Sequence, residues 1–259
     1  MLRDQDIGKF ILRNKYLKIG KSKKNMTKFI SDIKLRETAS AYVIAPFDEG
    51  KEILENKGYK IISLEENARL RMQEGTNEDI SICGNWVREG VLYIPKKGKF
   101  LAKISPIITN AKQATTCHRD RKEFYLTSEQ VEQFLADSIE LSKKSIPTDR
   151  FAEDKIAVYF FEDIAEEYGQ FLKEAGINEM SIWTDNLQDK PFIRQAWFDG
   201  FRNESKLGGY MGLNGNGRVR GICKGAKNFE TYTIAQIKEA LKNANLSNIE
   251  KILFEKLNK

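Results

Sequence analysis

"RQAWFDGFRNESKLGGYMGLNGNGRVRGIC", residues 194–223, decides how the rest of the chain is read. Eight of the chain's eighteen glycines lie between Gly200 and Gly225, among Arg202, Arg218 and Arg220. Three functions can produce such a stretch: a phosphate cradle, a single-strand nucleic-acid platform, or a surface whose residues are interchangeable. The glycines do not fall into GxGxxG, no P-loop lysine occurs, and no strong helix begins behind them, which argues against a nucleotide loop. Arginines interleaved with Trp197, Phe198, Phe201 and Tyr210 suit stacked bases. Yet Asp199 and Glu204 share the segment, and a phosphate-tracking groove would carry a clearer positive field.

Charge is unevenly placed along the chain. Residues 1–36 hold eleven Lys/Arg against three Asp, a net of +8, while residues 37–225 come to about −4 and residues 226–259 to +2. The basic character therefore belongs to the N-terminal segment, which makes nucleic acid a candidate partner through residues 1–36. The whole chain has 259 residues, 31% of them charged and 41% hydrophobic, with five prolines, which is the composition of a folded globular protein. No apolar run is long enough to span a bilayer. The charged start "MLRDQDIGKF" lacks the apolar core of a secretory signal, so the expectation is a cytoplasmic protein, with surface display by another route left open. Cys83, Cys117 and Cys223 form no CxxC pair and read as buried or half-buried thiols.

Hydrophobic periodicity divides the chain into a basic helical N-terminal extension (1–38), a central domain (39–225) and a helical C-terminal extension (226–259). In the first, Ile7, Phe10, Ile11 and Leu17 share one side of a helix, and "MTKFISDIKL" (26–35) reads as a second short helix. In the domain, strands are expected at 41–47, 59–64, 85–95, 98–108, 155–161, 179–185, 195–201 and 218–223. Helices are expected after Asp48, over 65–75, from the Thr127–Gln130 capping box, and over 162–176. In the last, Thr233 with Gln236 and Ser247 with Glu250 are capping boxes of two amphipathic helices, which offer an oligomer contact if they do not dock on their own chain.

Candidate catalytic residues are few. His118 is the one histidine, in the charged, loop-like stretch "TTCHRDRKEFY", and its neighbour Cys117 is not at metal-ligand spacing because adjacent side chains diverge. No HExxH or GxSxG occurs, and the carboxylates of "EDIAEE" and "LEEN" fit helix N-terminal turns. The expectation is a protein with no enzymatic activity, no cofactor and no metal.

The run 194–223 resembles the variable region of proteins diversified by diversity-generating retroelements, the archaeal group above all. The matching pattern is an RQ-aromatic start, W-F-x-G-hydrophobic, S-x-L-x-G, and a closing R-V-R-G-aliphatic. Upstream, "NARLRMQEG", "GNWVREGVLYIP" and "EFYLTSEQVE" are similar to the body of that group, so the resemblance covers about residues 40–224. It implies an α+β, C-type lectin-type fold of two helices and a twisted antiparallel sheet. Adenine-directed mutagenesis of the gene then varies surface residues, as in a paratope.

On this resemblance Trp197, Phe198, Phe201, Leu207, Leu213, Val219 and Ile222 are fixed core anchors. Gly200, Gly209 and Gly221 sit where positive φ or close backbone approach is needed, and Arg218 and Arg220 make structural hydrogen bonds. The varied, ligand-binding positions are Asp199, Arg202, Asn203, Glu204, Lys206, Gly208, Tyr210, Met211, Gly212, Asn214, Gly215, Asn216 and Gly217, within a variable region of about 194–222. Tyr210 and Arg202 are the expected anchors, and a protein is the expected ligand. Three features depart from the pattern. Glu204, Lys206 and Met211 do not arise by adenine mutation of a pyrimidine-ended Asn codon, a helical segment follows the variable region, and the lectin calcium–sugar motifs EPN and QPD are absent.

Overall fold

A computed structural model describes residues 28–32, 38–200 and 205–224. The first part of the chain gives β1 (Lys28–Asp32), β2 (Thr38–Ala45), α1 (Phe47–Glu55), β3 (Lys60–Ile61), α2 (Leu64–Glu74) and α3 (Asp79–Ile82). The middle gives β4 (Asn85–Ile94), β5 (Gly98–Ala102), α4 (Ala111–Arg119), β6 (Phe124–Tyr125), α5 (Ser128–Leu135), β7 (Ser138–Glu140) and β8 (Ser145–Pro147). Then come α6 (Lys155–Phe161), α7 (Ala165–Glu174), β9 (Glu179–Trp183), β10 (Phe192–Phe198), β11 (Ser205–Gly208) and β12 (Gly217–Lys224). The proposed helices at 7–17 and 226–259, together with Phe201, Arg202, Asn203 and Glu204, lie outside the described residues.

Strict alternation on β4 and β10 sets the architecture. Val87, Val91 and Tyr93 enter one core cluster, and Trp86, Leu92 and Ile94 the other. Phe192, Ala196 and Phe198 go to the first side, Ile193 and Trp197 to the second. Both faces of these central strands are thus buried, as the near-continuous apolar runs in their sequence require. The first cluster is closed by α2, α6 and α7 through Leu64, Ala68, Phe160, Phe161, Tyr168 and Leu172, and the second by α1, α4 and α5 through Phe47, Leu54, Ala114 and Val131.

The sheet runs β1-β2-β12-β4-β10-β11-β9-β8, with β3, β5, β6 and β7 paired off this path. It is larger than the expected frame and not purely antiparallel. β11 runs parallel to β9, and β12 meets β4 in parallel at Val219 and Trp86. Seven α-helices stand among the described residues, where the resemblance implied two and the periodicity of the domain four.

Several local expectations are corrected. Residues 28–32 are a strand and not a helix, because the backbone pairs antiparallel with β2 from Lys28↔Ile44 to Asp32↔Ser40, a long-range ladder that local periodicity cannot reveal. "KIAVYFF" (155–161) is a helix and not a strand: Asp154 caps it by accepting from the N–H groups of Ile156 at 2.8 Å and Ala157 at 3.2 Å. Its buried residues Ile156, Ala157, Phe160 and Phe161 repeat at helical spacing, a choice that a short apolar run leaves ambiguous. The segment holding His118 is helix α4 rather than a loop. The strand at 59–64 shrinks to Lys60–Ile61, since Ser63 forms a capping box with Glu66 and starts α2. Asp48 lies in the first turn of α1, whose N-cap is Pro46. The Thr127–Gln130 capping box does open α5, through mutual bonds of 2.9 and 3.2 Å.

Candidate functional site

β10, β11 and β12 carry the two ends of the 194–223 run into the sheet, and of the loop from Tyr210 to Asn216 only Leu213 is buried. Trp197, Phe198, Leu207, Leu213, Val219 and Ile222 are all buried. Trp197 meets Trp86 edge-on at 5.2 Å, and Trp86 meets Phe47 in the same way at 5.6 Å. These contacts tie the start of β4 to the end of β10 and to the start of α1. Leu213 is a plug in the loop: its side chain enters the second cluster and its carbonyl accepts the Phe47 N–H at 2.9 Å.

Both arginines of β12 are held by the scaffold, Arg220 buried and Arg218 half-buried. Arg220 is fully buried and donates to Asp79 Oδ1 at 2.8 Å and to Asn85 Oδ1 at 3.1 Å. Arg218 reaches the other oxygen of Asp79 at 3.0 Å, and both guanidinium groups lie over the Tyr42 ring. At the other end of the run, Arg194 is held by Asp185 and by Glu123 at 2.5 Å. Each of these three charges is therefore answered by a carboxylate of the same chain.

Arg71 supports the front of the loop from below. Buried under Phe198, with its guanidinium carbon 4.0 Å from the ring centroid, it donates to the carbonyl of Asp199 at 2.7 Å. Burial pushes its pKa down, and the Tyr168 hydroxyl beside it counters this. On the far side, Tyr93 donates to the Gly209 carbonyl at 3.2 Å and accepts from the Asp185 N–H at 3.2 Å. Burial pushes that phenol up to about 12, so it stays protonated and able to donate. His118, half-buried on α4, accepts the Leu213 N–H on Nδ1 at 3.4 Å. Burial lowers its pKa, which favours the neutral ring. The histidine thus props the loop.

The expected ligand-binding positions divide by environment. Asn214, Gly215 and Asn216 are exposed, and Asp199, Lys206, Tyr210, Met211 and Gly212 are half-buried. Tyr210 and Met211 also pack partly against the second core cluster, so these two do not stand clear of the scaffold. The Tyr210 hydroxyl donates to Asp199 Oδ2 at 3.2 Å, and its ring centroid lies 6.1 Å from that of Trp183. Lys206 places its ammonium 4.4 Å from the centroid of the same indole. Gly208 and Gly217 are of another kind. A Cβ on Gly208 would run into the Trp183 carbonyl, and one on Gly217 into the buried Trp86 ring. Gly200, Gly209 and Gly221 likewise serve close approach: none has positive φ, and a Cβ on Gly209 would sit 2.8 Å from Val91 Cβ.

Trp183 is the site residue that the sequence reading missed. It ends β9, half exposed, beside Lys206 and Tyr210. A signal existed in "EMSIWTD": with Met180 and Ile182 facing in, alternation sends Trp183 outward.

A scan of protein-family models finds no match to this chain, and a search of curated proteins finds none. Comparison of structures does find a relation. A solved structure described as "Accommodation of massive sequence variation in Nanoarchaeota by the C-type lectin fold" superposes with a TM-score of 0.55 at 15% identity, over 77% of this chain and 99% of that one. The fold is that of a C-type lectin. On it, the loop between β11 and β12, with Asp199 just after β10, forms the surface described above. Among the described residues no helix is long and apolar enough to cross a membrane. The three cysteines are half-buried free thiols.

Proposed function

We propose that this chain is a non-enzymatic binding protein whose C-type lectin fold presents a surface diversified by a retroelement, with a protein as the ligand. One observation carries the reading. Within 194–223, the described residues at the resemblance's fixed positions are buried or bonded to the scaffold. Most of those at its varied positions gather on one surface. A scaffold that holds its frame by internal contacts can exchange the side chains between them at little cost.

The solved structure of similar fold is described as accommodating massive sequence variation, which agrees with this assignment. The close contacts at Gly208 and Gly217 narrow the varied set to Asp199, Lys206, Tyr210, Met211, Gly212, Asn214, Gly215 and Asn216, with Arg202, Asn203 and Glu204 from the resemblance. The ion pairs of Arg194, Arg218 and Arg220 favour this reading over a nucleic-acid platform in the same run, because those charges already have partners.

Sequencing the gene's surroundings tests the diversification directly. We expect a near-copy of the segment coding 194–222, differing at adenines, next to a reverse transcriptase. A locus without either would refute it. In the protein, substitution of Lys206, Asn214 and Asn216 together should move the melting temperature by no more than about 2 °C, as surface changes do. A loss of about 8 °C or more would show that these side chains belong to the scaffold.

A further inference from the structure

Trp183 is exposed by 50%, whereas the other tryptophans, Trp86 and Trp197, are at 0% and 8%. A half-exposed indole is a large apolar surface left to water, in a domain that buries its other two tryptophans. Its position is fixed by the scaffold and not by the loop. β9 pairs in parallel with β11, the Trp183 carbonyl accepts the Gly209 N–H at 3.2 Å, and Gly208 lies against that carbonyl too closely for any side chain. The root of the variable loop is thereby pinned to the backbone that carries the indole. Around the ring stand two positions of the varied set, Lys206 at 4.4 Å and Tyr210 at 6.1 Å, while Trp183 itself lies upstream of 194–222.

We infer that Trp183 is a constant anchor of the binding surface: it takes up an apolar side chain of the protein ligand in every version of the site, and the varied neighbours choose among ligands. The inference rests on the display reading above and names its permanent contact. The physical reason is the division of labour in protein interfaces. A rigid aromatic at the centre supplies most of the affinity, and adaptable polar residues around it supply discrimination. Lys206 over the indole face and Asp199 bonded to Tyr210 are such neighbours in this version of the site. A polyanion is a poorer fit, because the Asp199 carboxylate is bonded to Tyr210 on the same surface.

The test uses the full chain. Two displayed libraries, randomised at Asp199, Lys206, Tyr210, Met211, Asn214 and Asn216, are selected against ubiquitin, a probe protein without tryptophan. One library keeps Trp183 and the other carries Trp183→Ala. Binders are expected from the Trp183 library. Introducing Trp183→Ala into them should weaken each by about tenfold or more, with Trp183→Phe recovering part of the loss. Iodide quenching provides a reading without any substitution at Trp183, since the other two tryptophans are buried. Saturating ubiquitin should protect the fluorescence of the selected binders.

Binders of equal number and affinity from the Ala library would overturn the inference while leaving the display reading intact. So would unprotected Trp183 fluorescence in the complexes. No binder from either library would overturn both.

Discussion

Replacing Asp79 with alanine removes one carboxylate from two arginines at once. Arg220 is fully buried and loses its 2.8 Å partner, keeping Asn85 at 3.1 Å, while Arg218 loses its 3.0 Å partner. Breaking a buried pair from one side typically costs about 3–5 kcal/mol, because the remaining charge is left without its counter-charge in a medium of low polarity. The Asp79 side chain is 34% exposed, so water can partly replace it, which places the expected cost near the low end, about 3 kcal/mol. For a domain of this size that corresponds to a melting-temperature loss of roughly 6–12 °C. Asp79→Asn keeps an acceptor oxygen for Arg220 and should cost less than half as much.

A double-mutant cycle separates the ion pair from general damage to α3. In an Arg220→Met background, with a side chain of similar length and no charge, Asp79→Ala should cost under about 1 kcal/mol. Thermal melts followed by circular dichroism, with urea titrations at 25 °C, measure all four corners. A loss below about 2 °C for Asp79→Ala, or the same loss in the Met background, would refute the assignment of "RVRG" to the scaffold.

Two further outcomes follow from local geometry. Gly217→Ala, whose Cβ would meet the Trp86 ring, should lose about 1–3 kcal/mol by overpacking, whereas Gly215→Ala, with open space around it, should change the melt little; equal effects would contradict the division between frame and display. Glu89 is buried on β4 with both carboxyl oxygens within 3.2 Å of the Leu64 N–H, and burial pushes its pKa up from 4.5 to about 8. The fold therefore binds a proton that the unfolded chain releases. Its contribution is full below pH ~4.5 and is lost as pH rises toward 8, with an upper bound of about 5 kcal/mol. Glu89→Gln should flatten the fall of melting temperature between those pH values, and an unchanged slope would reject the shift.

Much of the frame was legible because it is written in local and periodic signals. The Thr127–Gln130 box, the stop of α7 at Gly176 with φ +78°, and the strand at 85–94 all reflect short-range chemistry, whereas the strand expected at 195–201 lies at 192–198. The order of anchors and small residues in 194–223 pointed to a C-type lectin-type fold, and the burial of Trp197, Phe198, Leu207, Leu213, Val219 and Ile222 follows the same order. Errors arose where local signals were silent or double-edged. "KIAVYFF" satisfies both a strand and a buried helix until Asp154 is seen to cap it, and residues 28–32 become a strand only through pairing with β2.

The sequence by itself thus determined which apolar residues of the 194–223 run must pack, whereas Gly208 and Gly217, read as varied, proved to sit at close approaches. The tertiary structure alone decided what those anchors meet. Arg218 and Arg220 face one carboxylate more than 130 residues upstream. His118 lies beneath Leu213, 95 residues away. Trp183 stands beside Lys206 and Tyr210 because β9 and β11 run in parallel. Contacts between distant segments depend on strand order and layer packing, and no window of local sequence encodes either.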